Sequence, residues 1–107
     1  MNPVEYFELE GRYPFYEWIN GLDESSRARI AASIARVRAG GAKNNIRSLG
    51  EISEIKVNVG PGYRVYFSTH QRKVIVLLLG GDKDTQNKDI KTAKKYWRIY
   101  HAQKRRL

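Results

Sequence analysis

Six consecutive apolar residues, Val74 to Leu79, constrain the fold of this chain more than any other segment. A strand with one wet face alternates apolar and polar side chains; a short, unbroken apolar run suits a strand covered on both faces and set inside a sheet. The run falls far short of the ~20 apolar residues that a membrane-spanning helix needs, so no membrane is expected among the partners. Gly80 and Gly81 are read as the end of the strand. With 107 residues, 41% hydrophobic and 29% charged, the chain has the length of one domain, residues 1–107, which buries roughly 60–70% of its unfolded surface.

A second strand pair lies just upstream. Ile52 to Val59 alternates, with Ile55, Val57 and Val59 on one face and Glu54, Lys56 and Asn58 on the other. Gly60-Pro61-Gly62 has turn chemistry, because proline presets one φ and glycine tolerates positive values. Closing a hairpin with Val59 opposite Tyr63 sets Val57 against Val65 and Ile55 against Phe67. The same register puts Asn58 opposite Arg64 and Lys56 opposite Tyr66 on the polar side, with Lys56 and Arg64 as diagonal neighbours. The expected product is a hairpin with a packed underside and a cationic top.

The flanking segments read as a first strand and three helices. Val4 to Leu9 alternates loosely and is broken by Gly11 to Pro14; Phe15, Trp18, Ile19 and Leu22 then recur at helical spacing. From Glu24 to Ala39, Ile30, Ile34 and Val37 share a face beside Ala31 and Ala35, Asp23 or Ser25 can cap the start, and Gly40-Gly41 stops it. So short a link makes these two helices a hairpin. Ala42 to Leu49 is expected to be loop with a short extended piece and to carry no site. After the apolar strand, Asp84 or Thr85 can cap a helix in which Ile90, Ala93, Trp97 and Tyr100 form the apolar stripe. Lys88, Lys91, Lys94, Lys95 and Arg98 take its other sides, and His101 to Leu107 reads as a frayed basic end. The fold class is α+β: an N-terminal strand, a helical hairpin, an antiparallel three-stranded meander and a C-terminal helix.

Charge narrows the partners. Residues 1–26 carry one basic side chain against six acidic, and residues 27–107 nineteen against five; the net charges are −5 and +14, or +9 for the whole. Such asymmetry calls for a polyanion, either nucleic acid or an acidic protein. Zero cysteines exclude disulfides and thiolate metal sites and fit a reducing cytoplasm, where the protein is expected to reside. His70 and His101 are the only imidazoles, and neither they nor the carboxylates stand at a familiar ligand spacing. No metal and no small-molecule cofactor is expected. The N-terminus has neither a basic start nor a long apolar stretch, so a secretory signal is not expected and the mature chain is read as starting at Met1.

Cutting RNA without a metal requires a group to take the 2′-OH proton, cations to stabilise the phosphorane, and a donor for the departing 5′ oxygen. Lys56, Arg64 and Lys83 supply cations, with Arg64 the strongest candidate because a guanidinium can hold two phosphate oxygens at once. Its structural alternative is a surface ion pair with Glu54. Asp82, where strand meets helix, or Lys56 with a lowered pKa among like charges can accept the proton; as a turn or cap, Asp82 would have a purely local role. Tyr66 and Asn58, on the polar face, are candidate RNA contacts, Tyr66 by stacking on a base or donating a proton. Gln86 and Lys88 occupy the first turn of the last helix, where free N–H groups attract phosphate. Gly80-Gly81-Asp82-Lys83 lacks the spacing and the Ser or Thr of a nucleotide-hydrolysing loop.

GPGYRVYF followed by VIVLLLGGDKDTQNKDIKTAKKYW resembles the RelE/ParE toxin superfamily, specifically the phage-derived addiction-module killer proteins of the HigB-like branch. FYEWINGLDESSRARIAASIARVRAG looks like that family's helical hairpin, and SLGEISEIKV like its entry to the sheet. The resemblance implies a small basic toxin encoded beside an antitoxin. It implies endoribonuclease activity on mRNA in the ribosomal A site, leaving a 2′,3′-cyclic phosphate, so that the expected partners are the cognate antitoxin, the ribosome and mRNA. By position, Arg64 is the Arg of the family's GYR, Lys56 the basic residue of the preceding strand, and Lys83 the basic residue after the last strand. Two features depart from the pattern: the usual Glu-Leu-Arg is Glu54-Ile55-Lys56, and the histidines of some HigB proteins have no counterpart in this motif. Because ParE relatives share the scaffold and inhibit DNA gyrase, a gyrase-inhibiting toxin is the alternative implied, with a non-catalytic RNA-binding module as a third.

Overall fold

A computed structural model of the chain describes residues 2–105. Its frame is a five-stranded sheet in the order β1-β5-β4-β3-β2, formed by β1 (Val4–Tyr6), β2 (Ile46–Ser48), β3 (Ser53–Val57), β4 (Tyr63–His70) and β5 (Val74–Asp82). Strands β2 to β5 run antiparallel to their neighbours, whereas β1 adds to the edge parallel to β5, pairing Glu5 with Val76. The helices are α1 (Pro14–Asn20), α2 (Glu24–Arg38) and α3 (Gln86–Arg105). No helix among the described residues is long and apolar enough to cross a membrane.

The apolar run lies in the interior strand β5 and is buried from both sides. Ile75 and Leu77 face one core with Phe15, Ile30, Ile34, Ile55, Val57 and Val65; Val76 and Leu78 face a second with Phe7, Tyr66, Ala93, Trp97 and Tyr100. The sheet therefore has α1 and α2 on one face and α3 on the other. Residues 75 to 78 alternate between two dry layers, which is why the sequence shows no polar alternation there. The stripe of α3 behaves as its spacing requires, with Ala93, Trp97 and Tyr100 all buried.

Several boundaries differ from the sequence expectations. Gly80 and Gly81 do not end β5; they continue it, pairing with Val65 and Arg64. Their lack of a side chain serves close approach: a Cβ at Gly80 would run into the indole of Trp18, and one at Gly81 into the carboxylate of Asp89. Capping falls to Asp82 rather than Asp84 or Thr85. Its Oδ1 accepts from the N–H of Asp84 (2.9 Å) and of Thr85 (3.2 Å), closing a capping box over the 3₁₀ turn Lys83–Thr85 that leads into α3. Helix α3 extends to Arg105, so His101 to Arg105 are helical and not frayed; Arg106 and Leu107 lie outside the described residues. Strand β1 stops at Tyr6, short of Leu9.

The hairpin register is displaced by two residues. Val57 pairs with Tyr63, Ile55 with Val65 and Ser53 with Phe67, so that Lys56 stands directly opposite Arg64, and Glu54 opposite Tyr66. The loop is longer than Gly60–Gly62: the Gly62 N–H donates to the Val59 carbonyl (3.1 Å), and Asn58 and Val59 leave the ladder. A shift of two preserves which face each side chain occupies, so apolar alternation alone cannot tell the two registers apart.

Candidate functional site

Strands β3 and β4 project Glu54, Lys56, Arg64 and Tyr66 toward the α3 side of the sheet. The expected cationic top is only partly solvated, because the N-terminal end of α3 and the last turn before it cover it. Lys56 is exposed, but Glu54, Arg64 and Tyr66 are 3%, 7% and 0% exposed. Tyr66 is thus a core side chain between the sheet and α3, a correction to its expected role as a stacking platform for bases. Burial, reinforced by Glu54 and Asp89, pushes its phenol pKa well up.

Arg64 is turned inward along much of its length. Its Nη1 donates to the carbonyls of Gly62 and Tyr63, both at 3.3 Å, and so stiffens the β3–β4 loop. Its Nε lies 3.8 Å from Glu54 Oε1, close enough for attraction but too far for a hydrogen bond, and is buried without a hydrogen-bond partner among the described residues. Glu54 is shared. Its Oε2 accepts from Gln86 Nε2 (2.7 Å), and its Oε1 lies 3.3 Å from Arg47 Nε. Gln86, expected to meet RNA, is thereby committed to tying the start of α3 to β3.

Three adjoining cavities open around Lys56, which lines all of them. The largest, about 520 Å³, lies between Lys56, Asn58, the loop Gly60–Gly62, Arg64 and Lys83. A second, of about 280 Å³, is bounded by Asn44, Asn45, Arg47, Glu54, Lys56, Arg64 and Gln86. A third, of about 220 Å³, lies against α2, where Arg29 and Arg36 face Lys56 and Asn58. The concave surface thus gathers Arg29, Arg36, Arg47, Lys56, Arg64 and Lys83 against one carboxylate, Glu54. In so small a space such a field concentrates anions.

Of the residues singled out in the sequence, Lys56, Asn58, Arg64 and Lys83 meet at the largest cavity, and Gln86 reaches its neighbour. Asp82, Tyr66 and Lys88 line none of the three. Oδ1 of Asp82 holds both backbone donors of the cap, and the residue stands outside the three cavities, which gives it a local capping role. Among the described residues no carboxylate lines the 520 Å³ groove, and no three His, Cys, Asp or Glu side chains gather as metal ligands. Sequence reasoning missed Asn44, Asn45 and Arg47. They belong to the segment read as siteless, and the one signal for them is that Arg47 pairs across β2 and β3 with the oppositely charged Glu54.

The whole is an α+β sheet with a helical hairpin on one face, a long helix on the other and a basic groove at the end of its meander. The chain belongs to the Gp49-like phage-derived protein family (DUF891), whose sequence model matches residues 17–106 and which falls within the RelE/HigB-like toxin group. It is also similar to an uncharacterized protein of Haemophilus influenzae, 40% identical over 89 residues that span 81% of this chain and 89% of that protein.

Proposed function

We propose that this chain is the toxin of a type II toxin–antitoxin pair and that it cuts mRNA in the ribosomal A site by metal-independent attack of a 2′-OH on the adjacent phosphorus. The observation that carries the reading is the meeting of Lys56, Arg64 and Lys83, from β3, β4 and the 3₁₀ turn after β5, around one groove of about 520 Å³. In the reaction a 2′-oxygen–phosphorus bond forms and the phosphorus–5′-oxygen bond breaks, leaving a 2′,3′-cyclic phosphate and a 5′-OH. Lys56 and Lys83, both exposed, would pair with the non-bridging oxygens as their charge grows. Arg64, on the groove wall, adds a fixed positive field that needs no reorganisation. As no carboxylate lines the groove among the described residues, a group of the ribosome-bound complex would take the 2′-OH proton and a proton would pass from that complex or from water to the departing 5′ oxygen, so that activity is expected to depend on the ribosome. The partner that silences the toxin is an antitoxin with an acidic or helical segment that covers the groove.

The test is brief expression of the wild type, Arg64→Ala and Lys56→Ala/Lys83→Ala in growing cells, with RNA 5′ ends mapped. Losing one donor of transition-state charge lowers the chemical rate by about 10²–10³, so both variants should relieve growth arrest and erase the new 5′ ends. Undiminished cleavage by both would sink the assignment. A second reading is inhibition of DNA gyrase by the basic face, kept because Arg64 spends its Nη1 on the carbonyls of Gly62 and Tyr63 and so has fewer donors left for a phosphate. It predicts intact mRNA together with DNA damage in the same experiment.

A further inference from the structure

The 280 Å³ cavity beside the phosphate groove differs from it in chemistry. The groove presents cations and a glycine loop; the smaller cavity shares Lys56 and Arg64 with it but adds the amides of Asn44 and Asn45 and the Arg47–Glu54 pair, to which Gln86 is bonded. Asn44 and Asn45 are exposed, and neither side chain makes a hydrogen bond to another described residue. Amides with a guanidinium are the groups that read base edges, whereas phosphates are met mainly by cations and backbone N–H groups.

Arg47 is held in a particular way. Its Nε lies 3.3 Å from Glu54 Oε1 and its Nη2 3.4 Å from Glu54 Oε2, so the carboxylate grips one edge of the guanidinium. Glu54 is itself fixed by burial and by the 2.7 Å bond from Gln86. The other edge, Nη1 with the remaining Nη2 hydrogen, stays open on a side chain that is 57% exposed. That edge offers two parallel donors, the complement of the O6 and N7 acceptors of guanine. Arg64 lies on the wall shared by both cavities, its Nε buried against Glu54 Oε1 at 3.8 Å, and so adds charge to this cavity as well.

We propose that this cavity binds a guanine base of the RNA whose phosphate lies in the adjoining groove, with Arg47, buttressed by Glu54, as the residue that reads it. The inference rests on the RNA-cutting function proposed above. It extends that function from where the backbone is held to which base is selected, through a segment, β2 and the turn before it, that contributes nothing to the phosphate groove.

Purified protein would be titrated by fluorescence anisotropy with single-stranded RNA hexamers that differ only in one central base, G, A, C or U, and with the same hexamer carrying 7-deazaguanine. Wild type should bind the G hexamer about tenfold more tightly than the others, well within the discrimination a bidentate pair provides. The 7-deaza analogue should lose most of that margin. Arg47→Lys keeps the charge and loses the fork, so it should bind all four hexamers alike, near the wild-type affinity for U. Asn45→Ala, at an exposed position that the fold does not need, should narrow the margin severalfold. Equal wild-type affinities, a preference that survives Arg47→Lys, or a uniform loss on all hexamers as from a phosphate contact would each overturn the pocket. RNA-end mapping separates this outcome from the larger one: base preference without cleavage retains the pocket and sinks the nuclease, whereas cleavage without base preference does the reverse.

Discussion

Replacing Gly80 by alanine tests the packing that locks α1 onto the sheet. The new Cβ would fall within the six-membered ring of Trp18, against Cε3, Cζ3 and Cδ2, so the indole must withdraw. That ring is in turn packed at 5.7 Å from Phe15 and at 5.8 Å, edge-on, from Tyr63. Forcing one methyl into a filled core costs about 1–3 kcal/mol, and disturbing two aromatic contacts adds about 0.5–1.5 kcal/mol each. The expected loss is about 2–6 kcal/mol, a large share of the ~5–15 kcal/mol that holds a typical domain together. With a urea slope of about 2 kcal/mol/M this moves the unfolding midpoint down by about 1–3 M. Because the cost is assigned to one ring, a double-mutant cycle decides the matter. In a Trp18→Ala background the cavity is already open, and Gly80→Ala should cost less than about 0.5 kcal/mol, a strong coupling of the pair. A Gly80→Ala penalty that is equal in both backgrounds would refute the reasoning, as would a penalty below about 1 kcal/mol in the wild type.

Tyr66→Phe should be neutral or stabilising by about 1 kcal/mol, since it removes a buried hydroxyl without a partner among the described residues; a clear loss in denaturation would reveal a bond to that oxygen. The same variant should cut RNA at the wild-type rate, because Tyr66 lines no part of the groove. Asp82→Ala should cost about 1 kcal/mol through the lost cap, and an effect confined to activity with no change in unfolding midpoint would instead make Asp82 a proton carrier. In alkali, burial followed by the nearby Glu5 pushes the Tyr100 phenol up to about 12 from 10.0. A raised native pKa keeps its stabilisation below about pH 10 and loses it as pH climbs toward 12, by about 2–3 kcal/mol in all. Tyrosinate absorbance against pH, with Tyr100→Phe as control, checks this; an alkaline loss of stability that is unchanged in the control would count against it.

The elements whose signal is local were legible from the sequence. Asp23 before α2 and the spacing of Ile30 and Ile34 placed that helix, and the stripe Ala93, Trp97, Tyr100 placed the face of α3. The unbroken run from Val74 placed β5 inside the sheet. What was not legible depends on which element covers which. The second face of the β3–β4 hairpin carries Glu54, Lys56, Arg64 and Tyr66, which read as solvent-facing by polarity; the apolar stripe of α3 needs a surface, and it lands there. The register slipped by two because Val59 is apolar enough to continue the strand, yet it serves as the first residue of the loop turn. Gly80-Gly81 resembled a stop signal because only tertiary contacts with Trp18 and Asp89 explain two glycines inside a strand. The nearness of Lys56 and Arg64 followed from the hairpin and Lys83 was added by family position, but Arg47 could not be foreseen until β2 was paired with β3.

The placement of β5 has a consequence for synthesis. β1, near the start of the chain, has no other partner, β4 is flanked by it on one side and by β3 on the other, and α1 and α3 pack across it. A growing chain that has reached His70 therefore has β1 without a strand to pair with and a helical hairpin that finds only the β3–β4 part of its floor. Pairing Val4 with Ile75 is a long-range closure of the kind that slows folding. Tyr100 and Lys104 then fasten the opening segment through Glu5, after almost all of the chain has been translated. A product that ends at residue 73 would keep the β3–β4 hairpin but lack β5, α3 and Lys83, and with them the far wall of the basic groove.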